Sequence, residues 1–350
     1  MSATQLARPA RPPVAASAEW TLSSLAPPEW TEWLAACGGT FFHAPPVLEV
    51  SLPPGEPVYA RLVRGSQTLA LALGVAARCR LSRRARHYRF AALPAAAPGV
   101  DRDRAATRLV RLLARQGAAE VVMESFGARG VAGPGAERVP GRPRIEFLLP
   151  LDGGADALLA RMRPTHRRHV RHGEAAGWTL RVPRGDDALR LLGSVREGAS
   201  ARAAARGDGF QAGLPAAAFG HAVARTAAWG TATFAAYDGD AALGAVGVGW
   251  AGGCAYLLSG GSTPEGYRRS AAHWLAWRVM AELAAAGLVS HNLGGVPEEA
   301  RSPGHPAYGL YEYKRGYGGE EAPCRGARWE PDPRHLRLHG WLAWMTGGGR

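Results

Sequence analysis

The chain has 350 residues, 47% of them hydrophobic and 20% charged, with a formal net charge of +13. That length accommodates two domains with a core each, and the composition excludes a fibrous or wholly disordered chain. No apolar run reaches the roughly 18 residues of a membrane-spanning helix, and four scattered cysteines (Cys37, Cys79, Cys254, Cys324) without a C-x-x-C pair exclude a disulfide framework.

Residues 1–18 are rich in Pro, Ala and Arg and lack an apolar block before a cleavage site. They read as a disordered arm, not a secretory signal, and a cytoplasmic protein with reduced thiols is expected. Pro28–Ala36 predicts a short helix, and Val58–Val63, Thr68–Ala76 and His87–Ala92 predict strands. Asp101 opens an amphipathic helix with Ala105, Leu109, Leu112 and Leu113 on one face, ending near Gly117. Glu120–Ser125 predicts a strand, and the Gly/Pro-rich run Gly127–Pro143 a loop.

The order then recurs. Ile145–Leu149 predicts a strand, Ala155–Ala176 a helical stretch and Trp178–Val182 a strand, with helices over Asp186–Ala205 and Pro215–Trp229. A meander follows: Thr231–Tyr237, a turn at Asp238-Gly239, Ala242–Trp250, a turn at Gly252-Gly253, and Cys254–Ser259. Pro264–Ala286 has the clearest helical face, Gly287 stops it, and Val289–Leu293 is a strand. Three antiparallel strands, a helix and one more strand resemble the core of the GNAT acyltransferase fold. Seen twice, the order predicts an α/β (α+β) protein of two tandem GNAT-like lobes, each a mostly antiparallel sheet flanked by helices. The expected boundaries are 19–143 for the first lobe, completed by 320–350, and 144–319 for the second.

Charge adds a second signal. Of 42 basic residues only Lys314 is a lysine, as in a GC-rich genome that uses arginine wherever either cation serves. The excess of base favours a polyanionic partner such as tRNA, a nucleotide-linked substrate or an anionic membrane face touched transiently; a merely basic protein fits too. A small ammonium places a point charge where a guanidinium fork does not fit, for instance against a developing oxyanion.

The most specific segment contains Tyr256-Leu-Leu-Ser-Gly-Gly-Ser262, then Asn292-Leu-Gly-Gly-Val-Pro297, then Tyr308-Gly-Leu-Tyr-Glu-Tyr-Lys-Arg-Gly-Tyr-Gly-Gly319. This succession resembles the Fem family of aminoacyl-tRNA-dependent transferases, whose members carry a tyrosine-bearing strand, a G-G-V-P-like turn and a G-L-Y-x-F-K-x-G-F-G-G block. The basic stretch Arg163-Pro-Thr-His-Arg-Arg-His-Val-Arg171 resembles the family's K/R-rich helix, and Phe41-Phe-His-Ala44 matches near the start.

The resemblance implies a catalytic Lys314 with Tyr313 beside it, stabilising the oxyanion or holding the tRNA 3′-terminal phosphate. It implies substrate contacts from Arg202 or Arg206, Tyr256, Gly294, Gly295, Tyr308 and Tyr311, and tRNA contacts from Arg163, Arg167, Arg168, Arg171 and Arg315. The donor would be aminoacyl-tRNA as co-substrate, with no cofactor, and the acceptor an amine on a small metabolite, a peptide natural product or a peptidoglycan precursor. A monomer is expected. No G-x-S-x-G elbow or Cys–His pair suggests a covalent intermediate, and the tyrosines read equally as core. His166, His169 and His172 lack acidic or cysteine partners for a metal and read as part of a basic face.

Two alternatives stay open. An acyl-CoA-dependent N-acyltransferase would use the same fold, but Thr263-Pro-Glu-Gly-Tyr-Arg-Arg269 lacks the paired glycines of a pyrophosphate loop and carries Glu265 in its first turn. A non-catalytic RNA- or cell-wall-binding protein would fit the charge and leave the lone lysine unexplained.

Overall fold

The computed structural model describes residues 17–50, 52–78, 85–127, 130–131, 138–205, 207 and 229–331. The arm expected over 1–18 (all but its last two residues), Cys79, Arg206, most of the helix expected over 215–229 and residues 332–350 lie outside that set.

Two sheets form the frame. The first contains β1 (Glu19–Ser23), β2 (Glu56–Arg64), β3 (Gln67–Arg78), β4 (Arg86–Phe90), β5 (Ala95–Ala96), β6 (Ala118–Met123), β8 (Arg138–Pro140) and β16 (Ala327–Trp329). Its order is β1-β2-β3-β4-β6-β16-β8, with β5 on β3. The second contains β7 (Gly130–Val131), β9 (Arg144–Pro150), β10 (Thr179–Arg181), β11 (Trp229–Asp238), β12 (Ala241–Ala251), β13 (Cys254–Ser262), β14 (Ser290–Pro297) and β15 (Glu320–Arg325), in the order β10-β11-β12-β13-β14-β9-β15-β7.

The same path is traced in both. An antiparallel meander, β2-β3-β4 or β11-β12-β13, is followed by a helical crossover to a strand parallel to the last of the three. In the first lobe the crossover helix is Arg102–Arg115; Asp101 caps it by accepting from the Arg104 amide at 3.0 Å, and Ala105, Leu109 and Leu113 bury its apolar stripe. In the second it is Ala271–Ala285, packed through Trp274, Leu275, Val279 and Leu283.

Two helices expected as continuous are broken. Gly154–Arg161 ends before Arg163, and Pro164 starts Pro164–Ala175 at its first position, where a missing N–H costs nothing. The long helix divides into Pro264–Arg268 and Ala271–Ala285 at Ser270, whose φ of 57° lies in the left-handed region. Pro164 marks the first break in the sequence, whereas the second falls within Arg268-Arg269-Ser270, which holds neither Gly nor Pro.

A cluster of buried side chains joins the lobes. Trp30, Phe41, Phe42, Tyr59, Leu71 and Leu73 from the first pack with Leu192, Val195, Ala235, Ala245 and Tyr256 from the second. The return of the chain after residue 320 is divided between the lobes. β15 pairs antiparallel with β9 in the second sheet, and among the described residues only β16 returns to the first, between β6 and β8.

The parallel pairs differ between lobes. β4 and β6 shift register once, between Arg86 and His87, and then stay paired to Phe90 and Met123. β13 and β14 pair only from Cys254–Tyr256 to Ser290–Asn292 and then part. Both strands are bulged at the parting: β13 gains a residue between Leu257 and Ser259 against β12, and β14 shifts register between Asn292 and Gly295 against β9. Only the second lobe has this fork.

Candidate active site at the strand fork

The bulge in β14 begins with Asn292, whose Oδ1 accepts the Gly294 amide at 2.8 Å. Gly294 has φ of +71°, which a side-chain-bearing residue adopts with strain. A Cβ on Gly295 would lie 2.6 Å from Nη2 of Arg144. The glycine pair therefore serves a sharp turn and the close approach of a guanidinium.

Lys314 reaches this turn from the last turn of the helix Tyr308–Arg315. Its Nζ donates to the Gly295 carbonyl at 3.1 Å and lies 3.6 Å from where a Gly294 Cβ would be. The side chain is buried, 7% exposed. Burial, aided by the Arg144 charge and opposed by Glu146, lowers its pKa from 10.5 to about 7. The ammonium expected from the sequence therefore gives up its proton more readily than an exposed lysine.

Beside it lies a polar hub that sequence reasoning missed. Glu146, on β9, is 1% exposed. Its Oε1 accepts from the Tyr256 hydroxyl at 2.8 Å and from Arg144 Nη2 at 2.5 Å. Its Oε2 accepts from Asn292 Nδ2 at 2.7 Å and from the Gly127 amide at 3.2 Å. Arg144 Nη2 also donates to the Tyr256 hydroxyl at 3.2 Å, and its guanidinium lies over the Phe126 ring, 4.2 Å from the centroid. Phe126 stacks with Phe42, which meets Tyr256 edge-on at 4.6 Å. Burial, with Glu146 adding to it, pushes the Tyr256 phenol well above its ordinary pKa. The hub ties β9, β13 and β14 together where the strands part, and Gly127, Phe126 and Phe42 bring in the first lobe. The signal available in sequence was one acid inside the apolar run Ile145-Glu146-Phe147.

Residues 160–315 match the family described as Acetyltransferase (GNAT) domain. No curated protein matches the sequence. The crystal structure of FemX is similar with a TM-score of 0.66 and 12% identity, covering 91% of this chain and 99% of that one. The C-terminal domain of a putative lysylphosphatidylglycerol synthetase from Agrobacterium fabrum gives 0.53 and 15%, covering 92% and 98%. The chain has a Fem-like tandem GNAT fold.

Within this Fem-like fold the expected site residues separate. Lys314, Gly294, Gly295 and Tyr256 converge at the fork. Tyr313 does not, because successive helix residues point about 100° apart. Its hydroxyl donates to the Ala272 carbonyl at 3.2 Å, among the rings of His166, His273 and Tyr317. Tyr311 donates to Glu321 at 2.7 Å and stacks with Tyr308, so both buttress the helix. Arg202 donates to the Ser262 carbonyl at 3.1 Å and lies over the ring of Tyr267.

The basic stretch is divided as well. Arg163 precedes the helix instead of sharing its face; it pairs with Glu312, which also takes Arg315 at 2.8 Å. Arg167 donates to the Ala160 and Met162 carbonyls at 3.1 and 2.7 Å, closing the preceding helix. Arg168 and Arg171 are exposed. His166 is buried with a lowered pKa, chiefly from desolvation, so it adds no charge to that face. Among the described residues no three His, Cys, Asp or Glu side chains form a metal-ligand group, and no helix is long and apolar enough to cross a membrane.

Proposed function

We propose that the chain is an acyltransferase that moves an aminoacyl group from aminoacyl-tRNA to an amine, forming an amide. The observation that carries this reading is Lys314, the one lysine of the chain, buried at a strand fork that opens only in the second lobe. An aminoacyl ester is already activated, so attack by an amine needs positioning, proton handling and stabilisation of the oxyanion, with no covalent enzyme intermediate. The fork supplies side-chain-free backbone at Gly294 and Gly295 beside an amine. Similarity to structures named for FemX and for a putative lysylphosphatidylglycerol synthetase supports an aminoacyl cargo. Exposed Arg168 and Arg171 supply cations for the phosphates of the tRNA. The acceptor belongs to the amines of small metabolites, peptide natural products or peptidoglycan precursors.

Acyl-CoA is the second reading, favoured by the acetyltransferase family match. The helix start that would receive a pyrophosphate weakens it. The Gly266 amide is taken by Thr263 Oγ1 at 3.1 Å, Arg268 pairs with Glu265, and Arg269 pairs with Asp238 at 2.7 Å. Incubating the protein with a charged tRNA pool and cell extract, with and without RNase, followed by mass spectrometry, separates the two. An RNase-sensitive amide product is expected; a product that needs acetyl-CoA and survives RNase refutes the tRNA donor.

A further inference from the structure

An amine acceptor arrives at neutral pH as an ammonium, without the lone pair that attack requires. Some group at the fork must take its proton. Glu146 is the obvious carboxylate, yet its two oxygens accept from Tyr256, Arg144, Asn292 and Gly127, and it is 1% exposed. The Tyr256 hydroxyl donates a hydrogen bond to Glu146, accepts one from Arg144, and is held neutral by burial. Cys324, on β15, is a buried thiol pushed up to about 12 by desolvation and by Glu146. His291 neighbours Asn292 on β14, so it faces the opposite side of the sheet from the hub.

Lys314 differs from all of these. Among the described residues Nζ makes one hydrogen bond, to the Gly295 carbonyl, and has no carboxylate partner. A carbonyl accepts one N–H and leaves the lone pair of a neutral amine unused. Gly294 places no side chain over it. The charged groups facing it are Arg144 and Glu146 from β9, already paired with each other.

We infer that Lys314 is the proton carrier of the reaction: it takes the proton of the acceptor ammonium and returns it to the departing ribose oxygen. This rests on the aminoacyl-ester reading above. The neutral Nζ accepts H⁺ from R–NH3⁺. The freed nitrogen attacks the ester carbonyl carbon, forming the N–C bond and moving the π pair onto oxygen. The new ammonium of Lys314 then faces that oxyanion. On collapse the C–O bond to ribose breaks, and Lys314 protonates the leaving oxygen. It next takes the remaining excess proton from the amide nitrogen and releases it to solvent, one proton per turnover.

The single lysine makes the test direct. In the full chain labelled with ¹⁵N-lysine, Nζ gives one signal. Its titration midpoint is expected near 7, in the range set by burial, and is expected to rise in Arg144→Gln as a neighbouring cation is lost. A wild-type midpoint above about 9 overturns the inference, because the group would remain charged at working pH. In the RNase-sensitive transfer assay, Lys314→Ala is then supplied with small alkylamines of graded basicity at fixed pH. Rescue proportional to the free-base concentration supports proton transfer; rescue proportional to the ammonium concentration overturns it in favour of fixed charge. Absence of any tRNA-dependent product in the wild type refutes the donor reading, while the titration alone decides whether this amine can accept a proton.

Discussion

His166 donates through Nε2 to the carbonyl oxygen of Tyr313 at 2.8 Å, one residue before Lys314. The carbonyl can only accept, so Nε2 carries the proton and the buried Nδ1 is left without one and, among the described residues, without a hydrogen-bond partner. A neutral imidazole therefore braces the helix that carries the lysine. His273 lies edge-on to it at 4.5 Å, and Tyr317 and Gly316 close the other sides.

This arrangement predicts acid sensitivity. His43, His273 and His291 are lowered to about 4, and His166 is lowered as well, in each case chiefly by burial. Their unfolded value is 6.5, so unfolded chains bind more protons below that pH. Stability is full above 6.5 and is lost as pH falls toward 4, at up to about 1.4 kcal/mol per pH unit for each histidine. Thermal melts at pH 7.5 and 5 should show a marked drop in Tm. Equal values would contradict the buried neutral imidazoles.

Lys314→Met should abolish transfer and raise stability. A lysine lowered from 10.5 to about 7 costs nothing above 10.5, and its penalty grows as pH falls through that window. At about 1.4 kcal/mol per unit the penalty is of order several kcal/mol at neutral pH. Methionine fills similar space without charge. The Tm gain over wild type should be larger at pH 7 than at pH 10; a loss of stability at pH 7 would sink the idea.

Gly295→Ala tests the packing of the hub. The new Cβ would sit 2.6 Å from Arg144 Nη2 and would move the guanidinium off Glu146 and Tyr256. A transfer rate at least about tenfold lower is expected, equivalent to about 1.4 kcal/mol of barrier, with the fold kept by circular dichroism. Wild-type kinetics would show that Arg144 need not hold its place.

Arg168 and Arg171 should behave unlike Arg163. Replacing the exposed pair by alanine should leave Tm unchanged and reduce the salt slope of tRNA binding by about 1.4 to 1.8, two phosphate contacts' worth. Arg163→Ala should instead lower Tm, since Glu312 loses a partner at the junction of two helices. Filter binding across a salt series, beside melting curves, separates the two. An unchanged slope in the double variant would remove these residues from the contact.

The repeated order of elements was legible in sequence because alternating strands and amphipathic helices bury regular faces, as Arg102–Arg115 does. Lys314 stood out because its residue type is unique in the chain. What the sequence did not reveal is what depends on direction. Tyr313 adjoins Lys314 in sequence and faces elsewhere in space. Arg163 fits a basic repeat until Pro164 restarts the helix. Glu146 and Arg144 are far from Tyr256 along the chain and meet it only because β9 inserts between β14 and β15. Strand order is a non-local property, and no local spacing encodes it.

The divided return of the chain has a mechanical consequence. β8 and β16 pair in one sheet, β9 and β15 in the other, and between them the Gly141 amide donates to the Gly326 carbonyl at 3.0 Å. The halves are thus bridged by two strand connections held side by side by a hydrogen bond. A protein cut after residue 325 would keep its fork but lose the strand between β6 and β8.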